Sequence, residues 1–182
     1  MRTLFALAIL VMPALPAFAQ TVGDPLACSA IASGAERLAC YDAIFRGPAG
    51  PPPGALVIES NQPIPARPTG RAPATMTIAC TEEGITVDFA FAGQFLSETS
   101  DDAALSFQVQ QSGNVVRNLP VSEDNMSIGF PAGMQSDSFL ELIEGGRNLQ
   151  VRITPVRQRS VQVIFDLLAH EAEIAAVREA CS

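Results

Sequence analysis

From Ala74 to the end of the chain, apolar and polar residues alternate in short runs, the period of strands with one buried face. TMTIAC and ITVDFAF flank Glu82-Glu83-Gly84, and LSFQVQ and VVRNL flank Ser112-Gly113-Asn114. Each pair predicts a β-hairpin with a glycine in its turn. MSIGF predicts another strand, and NLQVRIT with SVQVIFD a further pair around Pro155. Between them SDSFLELIE reads as a short helix, capped by Ser136 or Asp137 and stopped by Gly145-Gly146. The chain closes in a second helix, Leu167 to about Ala180, with Leu167, Ile174, Val177 and Cys181 at helical spacing on one face. Residues 74–182 are thus expected to form a mainly β domain of the α+β class: an antiparallel sheet or sandwich sealed by the C-terminal helix.

Earlier in the chain the pattern is helical, in CSAIASGAERLACYDAIF from Cys28 to Phe45. A single straight helix would hold the Cα atoms of Cys28 and Cys40 about 18 Å apart, whereas a disulfide tolerates at most about 7 Å. Ser33-Gly34 is where the chain can double back, glycine ending one helix and serine capping the next. The expectation for 20–46 is a helical hairpin, Pro25 to Ala32 and Ala35 to Phe45, clamped by Cys28–Cys40. Closing that loop removes roughly 3 kcal/mol of unfolded-chain entropy.

Residues 47–73 hold eight prolines and four glycines. That composition predicts a semi-rigid extended linker reaching roughly 80 Å, with only Ala55 to Glu59 able to make a short strand. The first twenty residues have one basic residue, Arg2, an apolar run from Leu4 to Leu15, and small Ala17 and Ala19 around Phe18. This is the layout of a signal peptide over 1–19, cleaved after Ala19. The run is shorter than the roughly 20 apolar residues a membrane span needs, so the mature chain is expected in the periplasm without membrane insertion.

Export changes the meaning of the four cysteines, Cys28, Cys40, Cys80 and Cys181. In an oxidising compartment an even number reads as a disulfide framework. Cys181, on the inward face of the last helix, has Cys80 in the first strand as its natural partner, closing a loop worth up to roughly 4 to 5 kcal/mol. Pairing Cys28 with Cys80 or with Cys181 is also open, but folds the linker back on itself. The formal net charge of −8 makes nucleic acid and anionic lipid poor partners. All the basic side chains other than His170 are arginines.

Candidate chemistry is sparse. His170, the one imidazole, lies near the buried face of the last helix, and no serine or cysteine nucleophile stands beside it in a recognisable motif. The acidic groups Glu82-Glu83, Glu98 with Asp101-Asp102, and Glu123-Asp124 fall in predicted turns, where solvated carboxylates are ordinary, and match no EF-hand loop. The reading is a non-enzyme with no metal or cofactor. Arg147, Arg152, Arg157 and Arg159 form a basic patch on an acidic chain. Such a patch either protects a strand edge by charge or docks an acidic partner.

Several motifs in order resemble the type VI secretion system-associated TagO/VasI-like family. They begin with C-x-x-I followed by ERLACYDAIF, with Cys28, Ile31, Glu36, Arg37, Leu38, Cys40, Tyr41 and Asp42. MTIACTEEGITVDFAFAGQFLS follows, then SEDNMSIGF with Ser122, Asp124, Asn125 and Gly129, then SFLELIEGGRNLQVRITP and the closing IAAVREAC. The resemblance implies a non-enzymatic periplasmic accessory protein that contacts protein components of a secretion apparatus. Tyr41, Asp42, Arg152, Arg157 and Arg159 are the candidate contact residues. The alternative is a periplasmic binding or inhibitor domain that recognises peptidoglycan or a wall-cutting enzyme.

Overall fold

The structure, a computed structural model, describes residues 25–45, 54–99, 101–110 and 112–181. The chain divides into two units, 1–49 and 50–182. The expected signal peptide, 1–19, lies outside the described residues, as do Arg46 and 47–53 of the expected linker.

In the first unit α1 (Pro25–Ser29) and α2 (Gly34–Phe45) are joined by the Cys28–Cys40 disulfide, which brings the two Cα atoms to 5.6 Å. The chain reverses where Ser33 allows it: the Ser33 carbonyl accepts the Arg37 N–H at 2.9 Å, and its Oγ accepts the Glu36 N–H at 3.5 Å. Two details differ from expectation. The first helix ends at Ser29, its last turn tightened by an Ile31 N–H to Cys28 carbonyl bond of 3.2 Å. Gly34 opens α2 instead of ending α1.

The second unit is one antiparallel sheet of eight strands: β1 (Leu56–Pro65), β2 (Arg71–Thr81), β3 (Gly84–Ala90), β4 (Asp102–Val109), β5 (Val115–Pro120), β6 (Ser127–Phe130), β7 (Asn148–Ile153) and β8 (Val161–Asp166). Their order is β5-β4-β7-β8-β1-β2-β3-β6. A single bridge between Val121 and Ile128 links the two outer strands, so the sheet curls into a nearly closed barrel. Alternation sets which face is inside: Ile85, Val87 and Phe89 of β3 are buried, as are Leu105, Phe107 and Val109 of β4 and Leu149, Val151 and Ile153 of β7.

The proline-rich segment is the main correction. From Leu56 onward the expected linker is β1 and the start of β2, not a tether. Proline is tolerated because Pro63 faces Pro73 across the β1–β2 pair, where neither has an N–H to give. Ile58 and Ile64 meanwhile enter the core, and their burial outweighs the poor strand propensity of the residues between.

Where the barrel is incompletely paired, α3 (Met134–Ile143) fills the space. Its Phe139 stacks on Phe130 with ring centroids 4.5 Å apart and meets Phe107 and Phe89 edge-on at 5.4 and 5.8 Å. No side chain caps α3; Ser136 turns back instead to donate to the Gly133 carbonyl at 2.8 Å. Gly145, in left-handed backbone (φ 66°), ends the helix as expected. After a short 3-10 turn (Leu168–His170), α4 (Glu171–Ala180) lays Ile174 and Val177 half-buried against the core. Cys181 is bonded to Cys80.

Candidate functional site

Four of the described arginines of the β unit, Arg67, Arg71, Arg157 and Arg159, gather at one end. There the β1–β2 loop, the segment after β3 and the β7–β8 turn are stitched together by a buried glutamine. Gln94, 2 % exposed, donates to the Pro65 carbonyl at 2.8 Å and accepts the Gln158 amide at 2.7 Å. Backbone bonds from Arg67 N–H to the Ala92 carbonyl (2.9 Å) and from Val156 N–H to the Phe95 carbonyl (2.8 Å) complete the junction. A buried amide with its polar atoms satisfied holds three loops in one geometry.

Arg67, Arg71, Arg157 and Arg159 all project from these loops and are exposed. Arg67 stacks over the Phe95 ring at 5.1 Å, and Arg71 donates to the Pro63 carbonyl. Arg157 sits at the tip of the β7–β8 turn in left-handed backbone (φ 56°). Arg152 is on the outer face of β7, opposite Ser106 on one side and Gln162 on the other. It lines a shallow depression with Ser106, Val116, Thr154 and Ser160, while Arg159 lines a groove on the other side of Ser160. A 2.7 Å hydroxyl contact between Thr154 and Ser160 ties the ends of β7 and β8 between them.

Three of the four arginines read as a patch, Arg152, Arg157 and Arg159, thus lie near one another. Arg147 does not: it precedes β7 at the opposite end, where its carbonyl accepts the Leu167 and Leu168 N–H groups. Arg67 and Arg71 were missed because they fall in the segment read as linker. Their signal was the alternation of Ile58 and Ile64 with polar residues, broken only by the bulge between Glu59 and Pro63. In the first unit Tyr41 is half-buried next to Cys40; the side chain of Asp42 lies outside what is described.

The opposite end is of mixed charge. Glu83, Asp137 and Glu179, with Arg178, line a groove between the β2–β3 turn, α3 and α4, and Arg178 also pairs with Glu144 at 2.9 Å. His170 stands at the start of α4 with its Nδ1 against the Glu173 carboxylate, an edge position and not a packed one. Of the turn acids, Asp124 serves the fold by accepting the Met126 N–H at 3.0 Å, and neighbouring Asn125 accepts the Leu96 and Ser97 N–H groups at 3.2 and 2.8 Å. Among the described residues no three His, Cys, Asp or Glu side chains form a metal-holding group. Asp88, half-buried on the outer face of β3, has its carboxyl raised above the usual aspartate range by burial.

No family model matches the chain, and no curated protein does. Among solved structures, the invasion associated protein B of Bartonella henselae superposes with a TM-score of 0.42 at 8 % identity, over 69 % of this chain and 86 % of that one.

Proposed function

We propose that this protein is a periplasmic, non-enzymatic accessory protein of a type VI secretion system that works through protein–protein contacts. The contact reading is carried by one observation: Arg71, Arg157 and Arg159 stand exposed at one end of the β unit, with Arg152 on the adjoining face, in a chain of net charge −8. Arginine's planar fork suits carboxylates on a partner surface. Two disulfides fit an oxidising compartment. The ordered motifs from Cys28 to Cys181 supply the link to the secretion apparatus.

The test is the amount of secreted tube protein in the medium of a deletion strain, complemented with the wild-type gene or with R152E/R157E/R159E. The wild type is expected to restore export; the triple variant is expected to fail with its melting temperature unchanged. Undiminished export from the deletion strain while the apparatus fires would discard the accessory role. Retention on purified peptidoglycan, or inhibition of a lysozyme, would then favour a binding or inhibitor domain.

A further inference from the structure

The sheet has a seam. β1 and β8 are ladder partners only at Ser60–Phe165, although both strands run on past that pair. In a continued antiparallel register Gln62 would face Val163 and Ile64 would face Val161. The bulge in β1 between Glu59 and Pro63 prevents it, and Pro63 and Pro65 have no N–H to offer. One missing link is filled by a side chain: Gln62 Nε2 donates to the Gln162 carbonyl across 3.4 Å. That carbonyl therefore points into the seam. In an antiparallel strand a residue's N–H and C=O point to the same side, so the Gln162 N–H points there too.

A groove of about 480 Å³ lies along this seam, lined by Pro63, Ile64, Arg71, Arg159, Val161 and Gln162 among others. Its charged lining residues are both arginines. Arg159 has no hydrogen-bond or ion-pair partner among the described residues. An open strand edge is a template for another strand, and here the edge is short, apolar at Ile64 and Val161, and positive at its rim.

We infer that this groove takes an extended acidic segment of a partner protein, which adds as a short strand to the β8 edge at Gln162 and sets its carboxylates against Arg71 and Arg159. The incoming backbone displaces the long Gln62 bond and pairs with the carbonyl and N–H of Gln162 that face the seam. Because strand side chains alternate, one set of peptide residues packs toward Ile64 and Val161 while the other reaches the arginines. The inference specifies a groove and a ligand class that the secretion reading does not, and it holds or fails independently of that reading.

The experiment is fluorescence anisotropy on the purified full chain with a short labelled peptide of alternating glutamate and valine, and its lysine–valine counterpart as control. The acidic peptide is expected to bind, more weakly as salt is added, and the basic one not to. R159E should weaken binding by about tenfold or more, while R117E, the same charge change on β5, should not. N-methylation of the peptide backbone should abolish binding, because the added strand needs its N–H groups. On the wild-type protein, amide resonances of Val161, Gln162 and Ile64 should move on titration. Equal binding of both peptides, indifference to R159E, or shifts confined to other strands would each overturn the proposal. So would concentration-dependent self-association lost in R159E, since the groove would then be occupied by a second copy.

Discussion

Asp88 Oδ1 lies over Gly129 on the neighbouring strand, in the space that a Cβ at position 129 would need. The Val87 carbonyl crowds the same point. Glycine at 129 is thus required by close approach of β3 to β6, the pair next to the point where the barrel nearly closes. Gly129→Ala is expected to lower stability by about 1–3 kcal/mol, read from a denaturant titration. Measured against Asp88→Asn alone, adding Gly129→Ala should cost as much, because the asparagine and the Val87 carbonyl remain in the way. No loss in that background would assign the crowding to the carboxylate charge instead.

Asp88 also governs a pH dependence. Its row across the sheet is Val57, Thr77, Asp88 and Gly129, with no basic residue, and its carboxyl has no hydrogen-bond or ion-pair partner among the described residues. Burial raises its carboxyl in the folded chain above the ordinary 3.8. In the window from that ordinary value up to the raised one, the folded chain holds more protons than the unfolded chain, so this group's contribution to stability falls as pH rises. Asp88→Asn removes that loss and is expected to raise the denaturation midpoint at pH values above the window. A midpoint unchanged or lowered there would refute the desolvation argument.

Phe139 is 3 % exposed and touches three other phenylalanines, all but closing the unpaired side of the barrel. Phe139→Ala is expected to cost about 3–5 kcal/mol, since it leaves a cavity among rigid rings. The check is the unfolding midpoint together with dye binding to newly exposed apolar surface. Leu142→Ala on the same helix, at a 44 % exposed position, should cost far less.

The Cys80–Cys181 bond spans 101 residues of chain and Cys28–Cys40 only 12. In the chain-entropy model the longer loop contributes about 4–5 kcal/mol and the shorter about 3 kcal/mol. Replacing Cys80 and Cys181 together by serine should lower the β unit's stability and raise hydrogen exchange along α4, whose own side chains are at most half-buried. Unaltered exchange in α4 would mean that Ile174, Val177 and the Arg178–Glu144 pair hold it unaided.

Local pattern alone determined a good deal: seven of the eight strands and both helices of the β unit are legible in the alternation and the glycine turns, while the cysteine positions favoured the two observed disulfides without excluding the other pairings. These are properties of neighbouring residues, where a period of two or a left-handed glycine acts directly on the backbone. Tertiary structure alone carried β1 beyond the short strand read at Ala55 to Glu59, because prolines argue against a strand locally, while the pairing with β2 and the burial of Ile64 are rewards paid only by distant partners. It also decided that the sheet curls until Val121 meets Ile128, and that Ser136 turns inward instead of capping α3. The arginine surface divides the same way. Arg152, Arg157 and Arg159 were visible as near neighbours in sequence, whereas Arg71 joins Arg159 only because β1, at its proline-bearing end, lies beside the start of β8.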